Sequence, residues 1–403
     1  MAWRSGVQAT MDYFDEHLQT GDYYLDNEQE IEPALWLGEG AERLGLTGQV
    51  SREDFESLAN NLHPETGGRL TARMNASDNR RTFWDVAVSP PKDVSVLAAL
   101  GDEQTRKAIR QLHREASEIA GREMERYLGV RERKNGANHT KIGNVEAVIA
   151  SVIHDTARPV AGIPDPHLHT HLLFANAVYD RDNEQWKAMS NEGAVEAQRY
   201  LRQAYYNEMV RGLEKLGYKC ETREEHNDFV ISGMSRDLID AFSRRHNQVR
   251  DLANEKMKLG MKDRKLAEEL AVLEARESKV TLSQAQLESG WAKVAGVDLI
   301  DGFNQWNDLA KLGKVERSEG LDQLDQAQAL DHAKDHVFTN VSVTKEHEVL
   351  ADVLRRGRGN MSLDEAKEAL QNDPDFFKSG EYMTTRQVIV EEEKMIQLVE
   401  SNL

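Results

Sequence analysis

The sequence predicts an α+β protein whose antiparallel sheet carries helices on one face, and three observations support that expectation. Apolar runs at residues 82–89, 145–153 and 172–175 have the composition of strands. Between the first and second lies a segment beginning at Glu103 in which Ala108, Ile109, Leu112, Ile119, Met124, Tyr127 and Leu128 recur at helical spacing among charges. Such a stripe is the core face of a long amphipathic helix. The order strand, helix, strand, strand is that of an antiparallel sheet with helices packed on it. From Glu192 to Trp291 the pattern turns mostly helical.

Taken in order, residues 11–28 set Tyr13 and the pair Tyr23-Tyr24 on either side of Gly21-Asp22, a predicted turn. Tyrosines in so polar a segment either anchor it to the body or, beside a divalent cation, serve as nucleophiles towards phosphorus. Residues 36–48 place glycine turns between apolar anchors and lack the third glycine of a dinucleotide fingerprint. Ser51 offers a helix N-cap ahead of Phe55 and Leu58. Asp85 interrupts the strand at 82–89, which Pro90-Pro91 ends. A carboxylate is costly to bury unpaired, so Asp85 is expected to meet an arginine, an imidazole or another strong donor.

The run at 145–153 is apolar enough for a strand buried on both sides, and His154 closes it. A turn-rich interval from Arg158 to Pro166 leads into Pro166-His167-Leu168-His169-Thr170-His171 and the run at 172–175. Histidines two apart in a strand share one face. If the two runs pair, three imidazoles converge, a donor set that leaves coordination positions open as catalytic metal sites do. The bland alternative is hydrogen-bonded or surface histidine. His167 forms a further pair with His169, and its position just after Pro166 favours the deeper pair, His169 and His171.

Residues 186–189 end the sheet region; residues 241–272 read as a surface helix or a lid, with Gly260 as the soft point. The expected division is a domain at 1–300 with a helical extension at about 190–300, a linker or weak helix at 301–330, and a small helical unit at 331–403.

At 403 residues the chain is long enough for two or three domains, and its single cysteine, Cys220, rules out an internal disulfide framework. No secretory leader and no membrane-spanning run is visible, so a cytoplasmic protein without membrane insertion is expected. The net charge of −19 argues against nucleic acid only if it is evenly spread. About half of it falls beyond residue 300, and basic clusters stand at Arg80-Arg81, residues 131–134, Arg244-Arg245 and residues 262–265. These clusters permit a nucleic-acid partner without requiring one.

Laid out together, Tyr13-Phe14 with Asp22-Tyr23-Tyr24, the stretch at 36–48, Asp85 to Lys92, His154 to Arg158 and Pro166 to His171 resemble the MobF-type conjugative relaxases of the HUH endonuclease superfamily. A weaker match follows at Trp186-Lys187-Ala188, and the resemblance covers residues 1–300. It implies a five-stranded, palm-like antiparallel sheet. It implies that His154, His169 and His171 hold a divalent ion against the scissile phosphate, Mg or Mn in function with Zn, Ni or Co as alternatives. Tyr13 would be the nicking nucleophile, Tyr23 the tyrosine of a second transfer step, and Asp85 a support for the tyrosine or a ligand histidine. The implied partners are single-stranded or hairpin DNA at an origin of transfer and, beyond it, relaxosome and coupling proteins, the chain acting as a monomer. Rivals are a rolling-circle replication initiator and a metal-dependent phosphodiesterase without a covalent step.

Three departures from the family pattern are visible. The interval between His154 and the histidine pair is long, which places a loop at 159–164; His167 stands where the family carries a non-ligand; and Phe14 replaces a second tyrosine. Residues 331–400 are similar to the segment that leads into a helicase, yet no P-loop occurs in the chain.

Overall fold

The computed structural model describes residues 1–18, 33–72, 79–134, 137–277, 280, 282–317 and 323–401. The chain opens with strand β1 (Ala2–Ser5) and helix α1 (Val7–His17), then β2 (Leu35–Leu37), α2 (Glu39–Arg43) and α3 (Arg52–Ala59). Ser51 caps α3 by accepting the Asp54 backbone N–H at 3.0 Å, satisfying one of the unpaired donors of the first turn. Next come β3 (Arg81–Val88), α4 (Lys92–Leu100) and α5 (Glu103–Glu125). A second run of strands follows: β4 (Gly129–Lys134), β5 (Ala137–Ile142), β6 (Val145–Val160), β7 (Ile163–Asp180), β8 (Gln185–Lys187) and β9 (Met189–Ser190).

The main sheet is antiparallel with order β1-β3-β7-β6-β2, and the short β8 pairs with β7 as a sixth strand. The expected class therefore stands, with one strand added to the five of the resemblance. Its spine is the β6–β7 hairpin, in which His154 lies opposite His169. The interval expected to be a loop at 159–164 is ladder almost to its tip. Pro159 pairs with Pro164, and the chain reverses through Ala161 and Gly162, both at positive φ. Register shifts on either side of Thr156 make room for the prolines, which cannot donate to a regular ladder.

Helices cover both faces of the sheet, not one. Phe83, Val148, Ala150, Leu173 and Ala175 pack with Met11, Phe14, Phe55 and Leu58 of α1 and α3. The other face sets Trp84, Val86, Ile149, Leu172 and Phe174 against Met124 of α5. This explains why the strand runs are continuously apolar instead of alternating. Full burial of each such large side chain is worth about 1.5–3 kcal/mol, and Phe55 stacks on Phe83 at 4.3 Å.

The helical extension comprises α6 (Glu192–Glu196), α7 (Gln198–Lys215), the hairpin β10 (Cys220–Arg223) and β11 (Asp228–Ile231), α8 (Arg236–Ala241), α9 (Arg244–Lys258), α10 (Arg264–Glu274), α11 (Gln284–Ala295) and α12 (Val297–Lys311). The first part of the stretch read as linker or weak helix thus belongs to α12. Beyond it stand α13 (Gln326–Phe338), β12 (Thr344–Lys345), α14 (Glu346–Arg356), α15 (Leu363–Asn372), β13 (Phe376–Ser379), β14 (Tyr382–Thr385) and α16 (Arg386–Ser401). This C-terminal unit, expected to be helical, also holds a three-stranded sheet, β12-β14-β13. Its Val349, Leu350 and Val353 join the same apolar cluster as Tyr200, Leu201 and Ala204 of α7. Arg358, fully buried, donates to the Gln203 side chain and the Asp228 carbonyl. Among the described residues no helix is long and apolar enough to cross a membrane.

Candidate active site

Strand periodicity sets His167, His169 and His171 on one face of β7, while Leu168 and Thr170 point into the core. Pairing with β6 brings the buried His154 beside them. Ring centroids of His154, His169 and His171 lie 5.1, 5.4 and 5.2 Å apart pairwise, and one ring nitrogen from each falls within 4.8 Å of the others. His167 stays outside this trio and stacks on His169 at 4.6 Å.

Each imidazole is oriented by an oxygen. His171 Nδ1 lies 2.7 Å from Asp85 Oδ1 and His169 Nδ1 lies 2.8 Å from the His167 carbonyl. Both contacts favour the Nδ1–H tautomer and keep the Nε2 lone pair for a cation. In His154 the arrangement is reversed: Nε2 lies 3.3 Å from the His17 carbonyl, which keeps the lone pair on Nδ1. Burial holds His154 down to about 3 and His169 well below the ordinary histidine value. Both are neutral at physiological pH, the form that binds metal.

Asp85 answers the question its strand position posed by meeting two partners at once. On β3 it sits two residues from Ala87, the neighbour of His171, and so shares its face. Besides His171 it takes Arg4 Nε at 3.1 Å, from β1. Burial would raise the Asp85 pKa, but the contacts with His171 and then Arg4 outweigh it, and the net direction is down.

Tyr13 lies on the buried face of α1. Its ring stacks on His17 at 4.0 Å, meets His171 edge-on at 6.1 Å, and has the Arg4 guanidinium 3.8 Å from its centroid. Its hydroxyl is buried and makes no hydrogen bond of normal geometry among the described residues. Burial first and Asp85 second push the phenol pKa above its ordinary value, with Arg4 opposing them. Tyr23 lies in residues 19–32, outside the described residues.

Two contributors were missed in the sequence. Arg4 carried no signal, because nothing in Ala2–Ser5 announces a strand beside β3. His17 did carry one: it stands four residues after Tyr13, one helical turn away.

The trio opens into a cleft of about 860 Å³, and Tyr13 lines a second of about 400 Å³. The two share His17, Arg158, His171 and Arg245. The larger cleft is lined by Lys92, Arg158, Arg223, Arg236, Arg245 and Arg250, six cations, against Asp165, Asp228 and Asp240. Locally the balance is positive, so a chain with net charge −19 still presents a surface suited to a phosphodiester strand. Of the Arg244-Arg245 cluster only Arg245 lines the cleft; Arg244 is tied to Asp165.

A family model described as TrwC relaxase matches residues 7–296. The multifunctional conjugation protein TraI of Escherichia coli strain K12 is 29% identical over 360 residues, 84% of this chain and 19% of that protein. The chain spans less than a fifth of the length of the curated relatives it matches. Among solved structures, copper-bound conjugative relaxase TrwC in complex with oriT DNA superposes with a TM-score of 0.60 at 25% identity, covering 73% of this chain and 96% of that one. TrwC with a 27-mer DNA comprising the recognition hairpin and the cleavage site gives 0.56 at 27% identity, covering 66% and 92%.

Proposed function

The chain belongs to the TrwC relaxase family, and on that premise we propose that it is a site- and strand-specific nickase and strand transferase acting on single-stranded origin-of-transfer DNA. One observation carries the reading to residues: Tyr13 stands against His171 of a converging imidazole trio, beside an arginine-lined cleft. The oriT DNA held by the related TrwC structures supports the choice of substrate.

The donors fit a divalent ion of the first transition row, because three imidazoles converge and two of them are oriented by a carboxylate and a carbonyl. His154, His169 and His171 would hold it. When bound, it supplies Lewis-acid charge to the non-bridging oxygens of the scissile phosphate. Imidazoles suit Zn, Ni, Co or Mn better than Mg, but the phosphate oxygens shift that balance, so Mg or Mn is the proposed working ion, with Zn, Ni or Co as alternatives.

The residues of the chain do the rest. Tyr13 Oη loses its proton and attacks phosphorus, the Oη–P bond forms, the P–O3′ bond breaks, and the leaving 3′-oxygen takes up one proton, so that the strand leaves with a free 3′-hydroxyl. The 5′-phosphotyrosyl link keeps the phosphodiester energy for rejoining. Arg4 over the ring favours the phenolate and opposes in part the burial that disfavours it. Asp85 is a positioning residue: it orients His171 and anchors Arg4, so one carboxylate ties the ligand to the nucleophile. Arg158 and Arg245, shared by both clefts, are suited to carry the backbone past Tyr13. Tyr23 is proposed for the second transfer, and relaxosome and coupling proteins as partners.

The test is a labelled single-stranded oligonucleotide spanning an origin of transfer, incubated with the protein and Mn or Mg. A protein-DNA band that survives denaturant is expected, and it disappears in Tyr13→Phe. Cleavage with no such band identifies a hydrolytic phosphodiesterase instead, and an undiminished band in Tyr13→Phe assigns the nucleophile elsewhere.

A further inference from the structure

A second group of metal-competent side chains lies in the C-terminal unit, beyond the residues matched by the family model. His332 and His336, four apart on α13, project from one helical face. Across from them Asp352 of α14 is fully buried. His332 Nδ1 lies 3.0 Å from Asp352 Oδ2 and His336 Nδ1 lies 3.1 Å from Oδ1. One ligand atom from each residue falls within 4.8 Å of the others, and the imidazoles stack at 5.3 Å.

We infer that His332, His336 and Asp352 form a second metal site that takes a borderline divalent ion of the zinc, nickel or cobalt class and clamps α13 to α14. Two imidazoles and one carboxylate suit such ions, whereas magnesium and calcium prefer all-oxygen sets. The carboxylate is held as a ligand needs: Arg355 donates to Asp352 Oδ1 at 2.8 Å and keeps it oriented. The imidazole side chains remain 31% and 54% exposed, so an ion enters from solvent and water completes its coordination. Ligand bonds of about 2.0–2.2 Å in a tetrahedral arrangement set N···O near ~3.4 Å. The present ligand atoms lie within 4.8 Å of one another, each imidazole now facing a different oxygen of Asp352, and the exposed His336 has room to shift as they close on a common ion.

The site is not a hydrolase centre. The residue after His332 is the buried Ala333, where a helical His-Glu-x-x-His site carries its general base. Its consequence is mechanical. The helix that carries Asp352 also carries Arg355 and Arg356, both paired with Glu224, which directly follows the cleft-lining Arg223 of β10. An ion at this point stiffens the seat of the C-terminal unit beside the DNA cleft.

The test uses the full chain with His154, His169 and His171 all replaced by alanine, titrated with Co(II) and followed by d–d absorption and thermal melting. The expected result is one remaining equivalent of Co(II), displaced by Zn(II), with a rise in Tm that grows with ion concentration. Adding His332→Gln and His336→Gln removes that equivalent and the rise in Tm. Absence of binding in the first variant overturns the proposal, as does binding that survives the glutamines. Should the triple variant fail to fold, the two glutamines in the parent chain must lower metal stoichiometry by one while the nicking rate is kept; unchanged stoichiometry overturns it equally.

Discussion

The two histidine clusters bring their donors together on different scaffolds, three imidazoles in one and two imidazoles with a carboxylate in the other. On β7 a period of two sets His169 and His171 on one face, and a neighbouring strand adds the buried His154. On α13 a period of 3.6 sets His332 and His336 on one face, and a neighbouring helix adds the buried Asp352. The strand cluster has Tyr13, the proposed nucleophile, edge-on to His171 and two clefts at its mouth; the helix cluster has solvent. Donor geometry alone therefore makes a place for an ion, and chemistry on a substrate needs the tyrosine and the cleft that only the first cluster has.

The largest expected break in this comparison is His169→Ala. Loss of a ligand at the strand cluster forfeits several kcal/mol of charge stabilisation, on the order of a thousandfold in nicking rate. His332→Ala, assayed in parallel, leaves the rate within about twofold. Equal losses in the two variants would erase the distinction. Chelation is expected to act likewise, abolishing nicking while leaving DNA retention in a gel largely intact, because the cleft arginines do not depend on the ion.

Next in size is Asp85→Asn. The amide still faces His171 but no longer carries the charge that fixes its tautomer and Arg4, so metal affinity falls by about 10–100-fold. The nicking rate as a function of metal concentration should shift to higher metal and recover at saturation. A lowered rate with unchanged metal dependence would instead assign Asp85 to strand packing.

A third difference concerns acid. His113, buried on α5 and bonded to Tyr205 and Thr170, is held down to about 3 by burial, as is His154, and His167 is held down to about 4. The unfolded chain binds these protons near pH 6.5 and the folded chain does not. Stability is therefore complete above about pH 6.5 and is lost as pH falls from there towards about 3. Melts of the metal-free protein should decline across that window, and His113→Gln should flatten the decline while lowering Tm at neutral pH. A flat profile in the parent would contradict neutral burial of these rings. The smallest effect is expected from His336→Gln without metal, within about 0.5 kcal/mol of the parent in a urea titration, since the side chain is half exposed.

Much of the fold was legible because its signals are local. The Ser51 cap, the helix from Glu103 and the two-residue spacing of His169 and His171 need only neighbouring residues to be read. The helices on the second face were legible in principle, since a continuously apolar strand leaves no face for water, yet which helices supply the cover is a long-range matter. The stretch at 159–164 reads as loop because its prolines signal a turn, whereas register shifts absorb them within the ladder. Arg4 was invisible: its importance comes from β1 pairing with β3 about 80 residues away.

From residues alone came the convergence of three imidazoles and the need of Asp85 for a partner, because side-chain chemistry and strand period are properties of short segments, while the choice of Tyr13 came from the resemblance to a family. What only the tertiary structure decided is which groups meet: Arg4 and His171 on one carboxylate, His17 on Tyr13, and the C-terminal unit on α7. Those contacts join segments far apart in the chain, and the free energy that selects them is the burial of apolar surface shared by the whole molecule, a quantity no short stretch of sequence contains.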